Sequence, residues 1–336
     1  MSKKIGHGHA RGHGHDLPQL YEKLRLISIC RLGHICRLYS LIFMFMMTFR
    51  VCISLFLVLF VVTFFSSCKR EDEPRPLSRS VVVSIAPYKF FVEEIAGNTI
   101  DVDLMVPTGG SPHSYEPTTR QILATSKADI WFQIGESFEA RAFQALKSYN
   151  PEMEVIDMRK GIDLIDEKGH VHCHHHNCKD PHIWLSPRLV KKQAEVIAAT
   201  LSQHYPEHAE RYEKSLRKFQ QKLDGLDVQI GSIVQQAKSR SFLVSHPAYA
   251  YFCRDYGLMQ LSIEFEGKEP TPQHLTEVLN RAREMGAKVV FIQAQHLSKG
   301  ARLVAEELDA EVVELDPLDE NYFENMLHIA KSIAAQ

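Results

Sequence analysis

The sequence predicts an α/β protein of two Rossmann-like lobes, each built on a parallel sheet, joined by one long backbone α-helix. Three observations carry this expectation. Short apolar runs alternate with amphipathic helical stretches from residue 80 to residue 157, the order that produces a parallel sheet. The same alternation resumes over residues 241–335. Between the two, Tyr212, Leu216, Phe219, Leu223, Leu226, Ile230 and Ile233 alternate steps of four and three, a continuous stripe along one helix from Pro206 to Gln236. A helix of about 30 residues spans roughly 45 Å, more than one small domain needs, so it reads as a rigid connector. Gly225 and Gly231 interrupt it, which weighs against a coiled coil.

In the first lobe (80–205), Ser80–Ala86 is a buried strand pattern, and Tyr88–Ala96 places Phe90, Phe91, Val92 and Ile95 on a helix face. Ile100–Val106 is the second strand. It runs into PTGGSPHSYEP (Pro107–Pro117), a loop dense in Gly and Pro. A helix over Thr118–Ser126, a strand over Ala128–Ile134, a helix over Phe138–Tyr149 and a strand over Glu154–Asp157 complete the pattern. Ser186-Pro187 then starts a helix to about His204, with Pro in its first turn. In the second lobe (238–336), strands are expected at Ser241–Ser245, Gln260–Glu264, Lys288–Gln293 and Glu311–Leu315. Helices follow each of them, and Tyr322–Ala335 closes the chain.

Ahead of the lobes, residues 1–67 read as an N-terminal extension and signal segment. Val51–Phe65 is a nearly unbroken apolar run preceded by Arg50, shorter than the ~20 residues of a membrane span. Ser66-Ser67-Cys68 ends it and resembles a bacterial lipobox, which would leave Cys68 lipidated, although Phe65 stands where an aliphatic residue is usual. A start at Met44, Met46 or Met47 would give a signal of ordinary length. Residues 68–79, charged and Pro-containing, form a tether. The body is thereby expected outside the cytoplasm, periplasmic or otherwise extracytoplasmic, held to a membrane by its lipid.

With 39 basic and 41 acidic residues in 336, the chain carries a net charge of −2 and no basic block in its body, which speaks against nucleic acid as a partner. The seven cysteines do not form a disulfide framework. Cys173 and Cys178 flank a His-dense stretch and could pair or bind metal.

That stretch, GHVHCHHHNCKDPHIW (Gly169–Trp184), divides in two. His170, His172, His174, His175 and His176 lie in a run without apolar periodicity (loop 169–178), suited to weak, exchangeable metal binding. His182 instead sits in a DPHIW turn opening a helix. In open α/β sheets ligands bind beyond the carboxyl ends of the strands. Four potential metal ligands occupy such ends or equivalent loops: His113, His182, His246 and Asp316. Each adjoins a proline (Pro112, Pro181, Pro247, Pro317), which stiffens a side chain that must be placed in advance. Three imidazoles and a carboxylate, two ligands from each lobe, fit four-coordinate Zn²⁺ in an interlobe cleft. Singly, each residue is an ordinary loop or turn residue; their shared position makes the case. A zinc hydrolase is the rival from another class, but no HExxH is present and no motif places a general base.

HSYEP (His113–Pro117), DPHIWLSP (Asp180–Pro187), SHPAYAYF (Ser245–Phe252), GKEPTP (Gly267–Pro272) and VVELDPL (Val312–Leu318) resemble the motifs of the cluster A-I metal-binding proteins of bacterial zinc and manganese ABC importers. The resemblance covers about residues 80–336. It implies two α/β lobes, a long backbone helix, and metal in the cleft on His113, His182 and His246, with Asp316 as candidate fourth ligand and Glu264, Glu116 or water as alternatives. A histidine rather than a carboxylate at position 246 favours zinc over manganese. The implied protein is a monomeric, non-catalytic receptor that hands zinc to an ABC permease and its ATPase. A metal-binding adhesin or periplasmic zinc buffer would suit the same fold.

Overall fold

The computed structural model describes residues 79–166, 179–264, 270–295 and 299–336. The leader, Cys68, the tether up to residue 78, and the His-rich loop with His170, His172, His174, His175, His176, Cys173 and Cys178 lie outside the described residues.

The first lobe runs β1 (Ser80–Val83), α1 (Ala86–Ala96), β2 (Asp101–Leu104), α2 (Thr119–Thr125), β3 (Ile130–Gln133), α3 (Ser137–Tyr149) and β4 (Glu154–Asp157), followed by α4 (Pro187–His204). The second runs β5 (Ser241–Val244), α6 (Ala250–Tyr256), β6 (Met259–Ser262), α7 (Pro272–Glu284), β7 (Val289–Ile292), α8 (Lys299–Leu308), β8 (Glu311–Glu314) and α9 (Tyr322–Ala335). Both sheets are parallel throughout and share one order, β2-β1-β3-β4 and β6-β5-β7-β8. In each, the chain reverses its winding direction at the first strand, so loops from its two sides converge above that strand's carboxyl end.

Between the lobes, a single 3-10 turn at Pro206–His208 leads into α5 (Ala209–Gln235), whose 27 residues extend about 40 Å. Tyr212, Phe219, Leu223, Leu226 and Ile230 of the expected stripe are buried, and Leu216 and Ile233 are partly so. The helix is continuous through Gly225 and Gly231. One core cluster passes under both lobes along it: Tyr88 and Phe91 of α1, Phe219 of α5, and Tyr322 and Met326 of α9 belong to the same packed group. Phe91 meets Tyr322 edge-on, with ring centroids 4.8 Å apart, fastening the first lobe to the last helix. Among the described residues, no helix is long and apolar enough to cross a membrane.

Candidate metal centre

Each of the three predicted histidines reaches the cleft by a different local route. His113 lies in a 3-10 turn (Pro112–Ser114) within the loop after β2. His182 precedes the 3-10 turn Ile183–Leu185, after which Ser186 caps α4 by accepting the N–H of Leu189. His246 follows closely on β5, and the backbone around it stays tied to the sheet: Ser245 N–H donates to the Phe291 carbonyl at 2.7 Å and Glu264 N–H to the Ser245 carbonyl at 2.9 Å. The three side chains converge, with one ligand nitrogen from each lying within 4.8 Å of the others. His113 Nε2 and His246 Nε2 stand 3.1 Å apart. Tetrahedral zinc with Zn–N of about 2.0–2.1 Å sets two ligand nitrogens roughly 3.3 Å apart, so this spacing suits a shared cation.

Behind every imidazole stands a buried carboxylate. Glu136 Oε2 faces His113 Nδ1 at 3.0 Å, Asp180 Oδ1 faces His182 Nδ1 at 2.8 Å, and Glu264 Oε2 faces His246 Nδ1 at 3.0 Å. A carboxylate only accepts, so each Nδ1 carries the proton and donates, leaving the Nε2 lone pair for metal. Asp180 Oδ1 also accepts the His182 backbone N–H at 2.8 Å, fixing ring and backbone together. The carboxylate residues Glu136, Asp180 and Glu264 are 6%, 4% and 5% exposed, in surroundings where their charge counts far more than at the surface. Burial pushes the Glu136 carboxyl up, but the hydrogen bond from His113, with the electrostatic pull of the neighbouring histidines, outweighs it and holds the group below the usual carboxylate range.

Glu136 is aimed by a second carboxylate. Glu139 accepts the N–H groups of Ile134 (2.9 Å), Gly135 (2.6 Å) and Glu136 (3.0 Å), as well as the Ser84 hydroxyl. This wraps the turn after β3 around one side chain. Gly135 takes φ +95°, and a Cβ there would meet the Arg159 guanidinium, so the turn needs glycine. Burial pushes Glu139 up to about 7.

The remaining candidates stand apart from the imidazole cluster. Asp316 Oδ1 accepts from Gln295 Nε2 (2.9 Å) and from the Leu318 N–H (2.7 Å). Glu264 is engaged at His246 Nδ1, on the far side of that ring from the metal position. Glu116 is exposed and pairs with Arg141 at 2.9 Å. A cavity of about 10 Å³ adjoins the cluster, lined by His113, His182, Trp184, Gln293, Gln295 and Pro317 among others. Cys253 is buried in α6 outside the converging group of histidines, and burial pushes its thiol up to about 12. The roles of Glu136, Glu139, Gln293 and Gln295 escape sequence reading. Glu136 alone left a trace there: it follows a predicted strand, as His113 does.

Comparison with known proteins agrees with this architecture. The family of the zinc-uptake complex component A, periplasmic (ZnuA) matches residues 81–336. The chain belongs to this family. The high-affinity zinc uptake system protein ZnuA of Bacillus subtilis is 30% identical over 264 residues, covering 76% of this chain and 83% of its own. A Chlamydia muridarum protein described as metal-binding is 36% identical over 260 residues, 77% of this chain and 92% of its own. The crystal structure of a ZnuA superposes with a TM-score of 0.72 at 38% identity, covering 77% of this chain and 98% of that one. A Zn(II)-bound mutant variant of AdcAII from Streptococcus pneumoniae gives 0.68 at 26% identity, covering 76% and 98%. The ZnuA fold, two parallel four-stranded sheets and a long helix, is therefore the fold of this chain.

Proposed function

We propose that this protein is an extracytoplasmic zinc receptor of an ABC importer, which captures Zn²⁺ on His113, His182 and His246 and delivers it to a membrane permease served by an ATPase. The convergence of three imidazoles, each backed by a buried carboxylate, carries the reading. Neutral imidazoles donate strongly to zinc, whereas manganese favours harder oxygen ligands. Three outer carboxylates oppose the 2+ charge of the ion, so the loaded site is close to neutral without a fourth protein charge. Asp316 is the candidate for the fourth position, with Glu264, Glu116 and water as its alternatives; the ring contact of Glu264 and the surface pairing of Glu116 favour Asp316 or water over either.

Nothing in this function needs catalysis. A hydrolase would need a base facing the metal's open position, but Glu136, Asp180 and Glu264 are all turned to Nδ1 atoms. His170, His172, His174, His175 and His176 are assigned the role of low-affinity collector. Lipidation at Cys68 would tether the receptor, as a monomer, to the membrane; one S. pneumoniae relative is named a zinc-binding lipoprotein. An adhesin is the second reading, favoured by likeness to a Streptococcus agalactiae structure described as having adhesin and metal-transporting activity (26% identity, TM-score 0.67).

Metal analysis of the purified protein tests the reading. One tightly held zinc per chain is expected, surviving deletion of Gly169–Asn177 and lost in His246→Ala. Wild-type protein without tight zinc, or zinc retained in His246→Ala, would refute it.

A further inference from the structure

The turn that carries His182 belongs to the first lobe by sequence, but its hydrogen bonds reach into the second. Tyr251 of α6 donates its hydroxyl to the Asp180 carbonyl at 2.8 Å and accepts the Ile165 N–H at 3.1 Å. Tyr322, at the start of α9, donates to the Trp184 carbonyl at 2.8 Å, and Trp184 Nε1–H donates to the Pro317 carbonyl at 2.8 Å. The Ser186 hydroxyl donates to the Asp255 carboxylate. Residues 180–186 are thus tied to α6, to the loop after β8 and to α9. Ile183 packs with Tyr251 in the same small core group. Tyr251, Tyr322 and Trp184 are at most 2% exposed, so losing one partner would strand a buried polar group.

His113 is held differently. Its orienting partner Glu136 comes from its own lobe. Its side chain is 28% exposed, against 6% for His182 and 3% for His246. Small cavities of about 10 Å³ border both halves of its loop. One is lined by Val106, Pro107, Thr108, Gly109, Gly110 and Leu318, and the other by Ser111, Pro112 and His113 with the second-lobe residues Gln293 and Gln295. Below the site the lobes are fastened through Phe91 and Tyr322. What can part from the other two imidazoles is therefore the loop rather than the whole lobe.

We propose that Tyr251 and Tyr322 are positioning residues that make the His182 turn part of the second lobe, so that His182 and His246 form a fixed pair that captures the metal, while His113 closes over it last and leaves it first. This rests on the reading of the three imidazoles as zinc ligands, and one control separates the two. Zinc content of the wild-type protein tests the ligand reading by itself, and a chain without tight zinc overturns both.

With zinc bound, stopped-flow capture, and release to a chromophoric chelator, give the two rates separately. Glu136→Gln, which loosens His113, is expected to speed release about tenfold with a smaller change in capture. Tyr251→Phe and Tyr322→Phe, which loosen the pair, are expected to slow capture roughly threefold or more, with a smaller change in release. The order of events is overturned if Glu136→Gln slows capture as much as the tyrosine variants do. The positioning role is overturned if both tyrosine variants lower the unfolding midpoint but keep both zinc rates at wild type, the signature of residues that serve the fold alone. Two independent, near-isosteric tyrosine changes keep the test decisive if one of them fails to fold.

Discussion

The two lobes share a strand order and differ in how they present a candidate ligand histidine. In the second lobe His246 stands just past Val244, the last residue of β5, and backbone bonds from Ser245 and Glu264 hold it there. In the first lobe His113 lies far along the loop that follows Leu104, the last residue of β2, and is held at its Nδ1 by Glu136 from the turn after β3. Both rings are backed at Nδ1 by a buried carboxylate, Glu264 for His246 and Glu136 for His113, but His246 also sits where its backbone neighbours are tied to the sheet, whereas His113 lies out on a loop. The first arrangement is held by backbone and side chain together. The second depends on a chain of carboxylates, Glu139 to Glu136 to His113, and can be loosened one link at a time.

The sharpest way to break the contrast is to remove a proposed ligand from each lobe. His246→Ala and His113→Ala should each weaken zinc binding by more than about 100-fold, beyond the range expected for supporting residues. Competition against a chelator of known affinity measures this. Equal retention of tight zinc in both would dissolve the comparison altogether.

Next in size is the pH dependence contributed by Glu139. Its ordinary value is 4.5 and burial raises it to about 7 in the folded protein, so the folded state binds the proton more tightly than the unfolded chain. The contribution to stability is fully present below about pH 4.5 and is lost as the pH rises through about 7, a swing of about 3 kcal/mol. Glu139→Gln should flatten that part of the denaturation profile of the zinc-free protein. A slope between pH 5 and 7 that is unchanged in the variant would show that Glu139 is not its source.

The outer carboxylates come third. Glu136→Gln, Asp180→Asn and Glu264→Gln should each raise the zinc dissociation constant about 10–100-fold, since each leaves its ring free to adopt the wrong tautomer or orientation. Asp180→Asn should cost most, because Asp180 also holds the His182 backbone N–H. A ranking in which Asp180→Asn is the mildest would place the support of His182 in the tyrosine clamp instead.

How much of this was legible beforehand follows from the range of each interaction. Strands and helices were readable from local periodicity, and α9 and β4 begin and end where the sequence places them. The three converging histidines were readable as candidates because proline neighbours and strand ends are local signals. Glu136 and Glu139 were not, since their roles depend on a turn after β3 lying next to a loop after β2, a relation between segments that no short pattern encodes. Asp180 is the intermediate case: it stands two residues from His182 within the DPHIW turn read from the sequence, though its contact with Nδ1 was not visible there. Tyr251 and Tyr322 sit in helices where an aromatic residue ordinarily signals core packing, and their hydroxyl partners lie 71 and 138 residues away.

The smallest expected effect concerns the one element both lobes share. Gly225 and Gly231 lie within α5, with right-handed helical neighbours and nothing within 4 Å of an added Cβ. Replacing either with Ala removes backbone freedom from the unfolded chain at no steric cost and should stabilise the protein by about 0.5–1 kcal/mol. If the connector only spaces the lobes, Gly225→Ala and Gly231→Ala will raise the unfolding midpoint and leave zinc capture and release unchanged. A change in either rate would mean that α5 bends during release, and the difference between the lobes would then lie in the helix as well as in the two loops.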